Sequence, residues 1–184
     1  VAHVRAEPKL LMRPTVNLAQ SAGRITISSP DPVADPHIDY AMFRHPFDRK
    51  RMRDAIRLCQ NLVSNKAFSP HITDLLQPTT ADLASDDALD AWILDVATTG
   101  HHVCGTCKMG TDDMAVVDEE LRVHGIEGLR VVDASIMPRI VSGALNAPVI
   151  MLAEKAADSI AGNPPLEPLY LPVYQPDNWE TAAR

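Results

Sequence analysis

The chain has 184 residues, of which 46% are hydrophobic and 22% charged, and its formal net charge at pH 7 is −7. This composition is typical of a soluble globular protein, and the interleaved charges with an acidic excess give nucleic acid no electrostatic reason to bind. No segment approaches the roughly 20 apolar residues that cross a bilayer, and three cysteines are too few for a secreted disulfide framework. The compartment stays open, with a cytoplasmic location slightly favoured.

The N-terminal region is expected to form strands and turns. Polar and apolar residues alternate over 24–27, which is the period of a strand. Pro30, Pro32 and Pro36 divide the next stretch of chain into extended, loop-like pieces.

Two helices are predicted next. The first begins near Asp48 as N-cap, and its basic cluster 49–53 is interpreted as a solvated face rather than an anion site. The second follows Ser85 as cap and ends at Gly100. Apolar residues at helical spacing predict one buried face on each helix, through Met52, Ala55, Ile56, Cys59, Leu62 and Val63 on the first and Leu89, Trp92, Ile93 and Val96 on the second.

The C-terminal region predicts short strands and then a buried helix. Strands are expected over 116–125, with a turn, and over 129–134. A helix starts at Asn146 as N-cap, runs to about Ile160 and stops at Gly162. Since this helix is apolar on most sides, it should be buried. The Pro-rich tail 163–184 is expected to be extended and to pack along the surface through Leu169, Tyr170, Val173, Tyr174 and Trp179.

Residues 101–110, His-His-Val-Cys-Gly-Thr-Cys-Lys-Met-Gly, concentrate the reactive side chains of the chain. Cys104 and Cys107 have the spacing of a dithiol redox site, but the residues after them are a poor helix start. A structural zinc site usually draws on a second pair of ligands, and Lys108 excludes c-type haem. No metal site is therefore expected, and the third interpretation is a catalytic histidine held by a tight loop.

The motifs on the C-terminal side of this loop resemble a known family. They are Val117-Asp118, Leu121-Arg-Val-His-Gly125, Gly128-Leu-Arg-Val-Val-Asp133-Ala134-Ser135, Pro138, Gly143 and Asn146-Ala-Pro148 through Ala153-Glu-Lys155. Together with 102–110 they resemble the C-terminal signature of the glucose-methanol-choline (GMC) oxidoreductases. Upstream, 23–32 and 36–39 are similar to the start of that family's substrate domain.

The resemblance implies an α/β (α+β) fold. An antiparallel-sheet substrate domain with helices would occupy 1–100. A catalytic loop, with the C-terminal strand and helix of a Rossmann-like FAD-binding domain, would occupy 101–162, and the tail 163–184.

The resemblance also implies FAD-dependent oxidation of a small-molecule alcohol, with His102 as the catalytic base. In the family the base lies three residues before the glycine that corresponds to Gly105. An imidazole can take the hydroxyl proton while flavin N5 takes the hydride. His101 is the neighbour on the substrate side, whereas His3, His37, His45, His71 and His124 are interpreted as structural.

The FAD-binding positions implied by the resemblance lie at the end of a predicted strand and at the start of the last predicted helix. Asp133 and Ala134 end a predicted strand, where open α/β sheets hold ligands. The N-terminus of the last helix offers free N–H groups and a positive dipole end, through Asn146, Ala147, Pro148 and Val149. Without the resemblance, the preferred interpretation would be that this last helix is simply capped within the core.

Two features depart from the family pattern. Ala144 stands at a substrate position where family members usually carry His or Asn, which suggests a bulkier or more apolar alcohol, a partner residue from elsewhere, or altered chemistry. The chain also lacks a GxGxxG turn for ADP, so FAD binding needs an N-terminal portion, as a missing segment or a second chain. A non-catalytic binding module and lyase-type chemistry on the same scaffold are the alternatives.

Overall fold

The computed structural model describes residues 9–175 and Asp177. The interpretation of His3 as structural and the packing of Trp179 therefore lie outside the described residues. The elements are β1 (Arg24–Thr26), β2 (His37–Asp39), α1 (Pro46–Val63), α2 (Asp86–Val96) and α3 (Asn146–Ala161), with 3-10 turns at Ser69–His71 and Ala134–Ile136.

The strands β1 and β2 form a two-stranded antiparallel sheet in which Arg24 pairs with Asp39. The strand predicted over 24–27 is confirmed, and one of the extended pieces, directly after Pro36, supplies its partner. A Cβ on Gly23 would lie 1.9 Å from the carbonyl oxygen of Asp39. Glycine at this position therefore allows the backbone before β1 to lie close to the end of β2.

Helix α1 begins before Asp48, so the prediction that Asp48 is its N-cap is wrong. The cap is His45, whose Nδ1 accepts a hydrogen bond from the N–H of Phe47. Asp48 lies in the first turn, 1% exposed. Its carboxylate accepts hydrogen bonds from the N–H groups of Gln20 and Ser21 and from the Ser21 hydroxyl, at 2.7–3.0 Å. The carboxylate thus ties the N-terminal segment to the helix.

The helices α1 and α2 pack through a small apolar cluster of Ile56, Leu89 and Ile93. Arg53 crosses between them, and its guanidinium Nη1 lies 2.8 Å from both carboxylate oxygens of Asp90. The interpretation of 49–53 as a solvated face is therefore wrong for Arg53, whose side chain is 16% exposed. The positive charge is neutralised between the helices.

The ends of the predicted apolar faces are solvent-exposed. Leu62 and Val96 are exposed, while Cys59 is half-buried and Trp92 packs against the cluster. Ser85 caps α2 as predicted, because its hydroxyl oxygen accepts from the N–H of Ala88.

Helix α2 ends earlier than expected. Its last residue is Val96, and Ala97 is already extended. The prediction that the helix continues to Gly100 is therefore wrong, and 97–100 form the approach to the histidine loop.

The predicted strands of the C-terminal half appear only as isolated bridges. Val117 pairs singly with Met109 and with Val123, and Arg122 pairs with Arg130. The prediction of strands over 116–125 and 129–134 is thus wrong, because among the described residues these segments pair only through single bridges. Around these bridges the second core forms from Val117, Leu121, Ile136 and Ala156.

Helix α3 starts and stops close to the predicted residues but is much less buried. Asn146 is its first residue rather than its N-cap, and Gly162, with φ of 73°, ends it in the left-handed conformation. Ala156 is buried, whereas Ile150 and Met151 are exposed. The expected burial is wrong here because, among the described residues, only one face of α3 meets the second core.

The described part of the tail, 163–175, forms no helix or strand and does not pack on the chain. Leu169, Tyr170, Val173 and Tyr174 are 77–90% exposed, so the predicted packing is wrong for them. No helix among the described residues is both long and apolar enough to span a membrane.

The buried carboxylate of Asp48 leads to a stability prediction. Burial raises its pKa, but the hydrogen bonds from Gln20 and Ser21 lower it by more, so the net pKa lies below the usual value. Its stabilisation is therefore present above the unfolded-state pKa and is lost as pH falls through the folded-state pKa. We expect Asp48→Asn to lower the free energy of unfolding at pH 7 by about 1–3 kcal/mol, and by less at acid pH, in urea denaturation.

Asp54→Asn is the matched control, because Asp54 forms an exposed ion pair with Lys50 on the same helix. Such pairs contribute about 0–1 kcal/mol. Equal losses in the two variants at every pH would contradict the role assigned to Asp48.

Candidate active site

The loop 102–110 is held against the segment 133–137 by backbone hydrogen bonds. The N–H of Cys107 donates to the carbonyl of Ser135 at 2.9 Å, and the N–H of Met109 donates to that of Ile136 at 2.8 Å. Ile136 is fully buried in the second core. The two stretches that carry the predicted site residues are thus fixed side by side.

The far end of the loop is fastened by Gly110. Its N–H donates to the carbonyl of Val117 at 3.0 Å, and its own carbonyl lies 3.1 Å from Nε2 of His124. His124 therefore makes a structural contact, as predicted.

One open cavity of about 240 Å³ lies between the loop and the segment. Asp133 caps the 3-10 turn, because its Oδ1 accepts from the N–H of Ser135 at 2.7 Å. The Ser135 hydroxyl oxygen is buried and has no hydrogen-bond partner among the described residues. The cavity wall consists of Val103, Cys104, Thr106, Asp133, Ala134 and Ser135. The predicted Asp133 and Ala134 thus face the same space as the histidine loop.

The two cysteines of the loop are free thiols. Burial raises the pKa of the Cys104 thiol, whereas a reactive dithiol needs a lowered one. Among the described residues, no three metal-binding side chains converge. The raised pKa argues against Cys104 as a reactive thiolate.

His102 is half-buried and contacts the end of α3. Its ring nitrogen Nδ1 accepts a hydrogen bond from the N–H of Leu145, with 3.4 Å between the nitrogens. Leu145 is buried and is the N-cap residue of α3. The predicted base is thus brought to the helix end that carries Asn146, Ala147, Pro148 and Val149.

This helix end has open hydrogen-bond donors. Among the described residues no side chain caps it, and Val149 N–H is paired with the carbonyl of Leu145. Pro148 has no N–H, so the main-chain donors of Asn146 and Ala147 remain at the positive end of the dipole. Such a set can receive a negatively charged or strongly accepting group.

The two residues predicted for the substrate side are the chain neighbours of the two residues in this contact: His101 precedes His102, and Ala144 precedes Leu145. His101 is exposed with φ of 62°, and its N–H donates to the hydroxyl oxygen of Thr99 at 3.0 Å. Ala144 is exposed and directly precedes Leu145. Its methyl group adds no hydrogen-bonding atom.

Sequence reasoning missed the residues that act through their main chain or as cavity wall. Leu145 contributes an N–H that every residue except proline would offer, so its identity carries no signal. Ser135 and Thr106 gave a weak signal, because both lie inside the quoted motifs.

Known proteins share this region of sequence. The sequence model of the family described as GMC oxidoreductase matches residues 19–153. An oxygen-dependent choline dehydrogenase from Photobacterium profundum is 42% identical over 91% of this chain and 30% of its own length. A protein of the same description from Burkholderia multivorans is 49% identical over 84% of this chain and 27% of its own.

Solved structures are similar as well. Pyridoxine 4-oxidase from Mesorbium loti is 34% identical with a TM-score of 0.69, over 77% of this chain and 27% of that one. Formate oxidase from Aspergillus oryzae is 34% identical with a TM-score of 0.70, over 76% and 24%. The chain spans less than a third of the length of these relatives.

The turn at Gly105 gives a test of the loop geometry. Gly105 has φ of 89°, and a Cβ there would lie 3.3 Å from the carbonyl oxygen of Met137, whereas Gly125 has φ of 78° and open space around it. An L-residue at positive φ costs about 1–2 kcal/mol, so both alanine variants should lose stability. We expect Gly105→Ala to lose more, and to speed amide hydrogen exchange at Cys107 and Met109.

Gly125→Ala is the control for backbone strain alone. Equal unfolding free energies and equal exchange rates in the two variants would contradict the tight contact between the loop and residue 137.

Proposed function

The chain belongs to the GMC oxidoreductase family as a C-terminal portion, and from this premise we propose that it forms part of an FAD-dependent enzyme that oxidises an alcohol to an aldehyde or ketone. The observation that carries the proposal is the contact of His102 with the N-terminus of α3. The next residue along the chain, Val103, lines the cavity of Asp133 and Ala134, which supports a site that includes both.

The residues present fit a flavin cofactor. The orphaned hydroxyl of Ser135 and the small side chain of Ala134 border the cavity, so a polar group could bind there without a steric conflict. We assign Asp133 and Ala134 to one part of the FAD. Asn146, Ala147, Pro148 and Val149 are assigned to another part, where the helix dipole favours negative charge.

We assign to His102 the role of accepting the proton of the substrate hydroxyl. When bound, FAD supplies a hydride acceptor at N5. An imidazole changes protonation near neutral pH and can therefore take the hydroxyl proton in the same reaction. The ring nitrogen directed away from Leu145 is Nε2, which can take that proton once the ring's own proton lies on Nδ1.

The substrate side carries little polarity from this chain. We place His101 and Ala144 there, next to His102 and Leu145 along the chain. Because Ala144 cannot hydrogen-bond an oxygen, an alcohol with an apolar body beside its hydroxyl carbon suits this position better than a small polar one. The relatives described as choline dehydrogenases do not determine the substrate of this chain.

The rest of the FAD site is proposed to come from an N-terminal portion, on the same or a second polypeptide. The chain spans 30% or less of two relatives. Exposed apolar side chains on α3, such as Ile150 and Met151, suit a packed partner. In this arrangement we assign residues 1–100 to the substrate domain and 101–162 to the loop and end of a Rossmann-like domain.

A non-catalytic module derived from such an enzyme is the second candidate. The observation that favours it is Ala144, which leaves His102 without a polar side chain beside it at that position. This candidate expects no flavin reduction by any alcohol when the N-terminal portion is present.

A matched pair of histidine variants tests the proposal. In the flavin-loaded enzyme we expect His102→Asn to slow flavin reduction by the alcohol by about 100-fold to about 10,000-fold, the range of general acid–base catalysis. Asparagine can still accept the hydrogen bond from Leu145, so flavin content and folding should be retained. Stopped-flow absorbance under anaerobic conditions measures the rate.

His71→Asn is the control, because His71 is exposed in the 3-10 turn Ser69–His71 and is assigned no part in the site. Its rate should stay within a few-fold of the wild type. An unchanged rate in His102→Asn would remove His102 from the mechanism.

A further inference from the structure

We infer that the main-chain N–H of Leu145 is a positioning group that sets the tautomer of His102 in the resting enzyme. The consequence for catalysis rests on the proposed function, whereas the tautomer itself can be measured without it.

The geometry defines which ring nitrogen carries the proton. Nδ1 of His102 accepts from the N–H of Leu145, and an acceptor nitrogen must present a lone pair. The neutral ring therefore holds its proton on Nε2. Turning the ring over would place carbon Cδ2 opposite the N–H and would lose the bond.

Leu145 is well suited to hold this donor in place. Its side chain is 5% exposed, and it is the N-cap residue of α3, with φ of −78° and ψ of −14°. Its carbonyl accepts from Val149 N–H at 2.9 Å in the first turn. The direction of the N–H is thus fixed from both sides of the residue.

Other groups near the ring do not compete for Nδ1. His101 is exposed, and its N–H is paired with Thr99. A Cβ built at Gly100 would lie 4.0 Å from the ring carbon Cδ2 of His102. Among the described residues, Leu145 is the hydrogen-bond partner of the His102 ring.

The tautomer determines what His102 offers to the substrate. With its proton on Nε2, the ring donates a hydrogen bond to the alcohol oxygen. To accept the hydroxyl proton on Nε2, it must first carry its own proton on Nδ1, which breaks the bond with Leu145. The N–H of Leu145 thus favours the binding form over the base form.

Two variants at one position separate the N–H from the side chain. Leu145→Pro deletes the N–H, and the φ of −78° lies within the range of proline. Leu145→Ala keeps the N–H and also loses the buried side chain. The difference between these two variants isolates the hydrogen bond.

The readout is the ¹⁵N spectrum of the histidine-labelled chain, alone and in the flavin-loaded enzyme, at a pH where the ring is neutral. The His102 signals are assigned by their loss in His102→Asn. We expect the wild type and Leu145→Ala to hold the proton mainly on Nε2. In Leu145→Pro the tautomer ratio should move toward Nδ1–H by about 2-fold to about 10-fold, as for an ordinary net hydrogen bond.

Equal ratios in the proline and alanine variants, or a proton mainly on Nδ1 in the wild type, would overturn the inference. If the proline variant does not fold, the wild-type spectrum still tests the inference, since a proton mainly on Nδ1 would overturn it. The alanine variant reports separately what the lost side-chain packing costs. Anaerobic flavin reduction is followed on the same samples. A wild type that no alcohol reduces would reject the proposed function and leave the tautomer result standing.

Discussion

The site depends on the pairing of the loop 102–110 with the segment 133–137. Two backbone hydrogen bonds, from Cys107 to Ser135 and from Met109 to Ile136, hold these stretches together, and the fully buried Ile136 anchors them in the second core. Without this pairing, Cys104 and Thr106 of the loop would share no cavity with Asp133. Backbone bonds make the arrangement insensitive to most side-chain changes, so the loop can be held firmly while the residues that face the cavity differ.

The two cores of the chain serve different purposes. The cluster of α1 and α2 joins the two helices, and Arg53 and Asp90 pair across it. The second core is open, since one face of α3 packs and exposed Ile150 and Met151 lie on the rest. An open core beside a half-built cavity is what a C-terminal portion of a larger enzyme would present, and it explains why α3 carries more apolar residues than this chain buries.

Local signals in the sequence predicted what local chemistry decides. The strand β1, the Ser85 cap and the end of α3 at Gly162 depend on neighbouring residues, and the structure has them as expected. Features that depend on distant partners were not predictable. Asp48 has the composition of a cap, but Gln20 and Ser21 engage its carboxylate. Burial of α3 and of the tail would need surfaces that the described residues do not contain, as would growth of the bridge at Arg130 into a strand. The role of Leu145 lies in its main chain, which no residue pattern encodes.

The central claim is that this chain supplies a catalytic histidine and part of the flavin site to an alcohol-oxidising enzyme. It is tested most directly by combining the chain with an N-terminal portion and recording the visible absorption spectrum anaerobically before and after adding alcohols. The account predicts that the combined protein retains flavin and that at least one alcohol with an apolar body bleaches its absorption. Flavin that is not retained, or that stays oxidised with every alcohol, would contradict the claim.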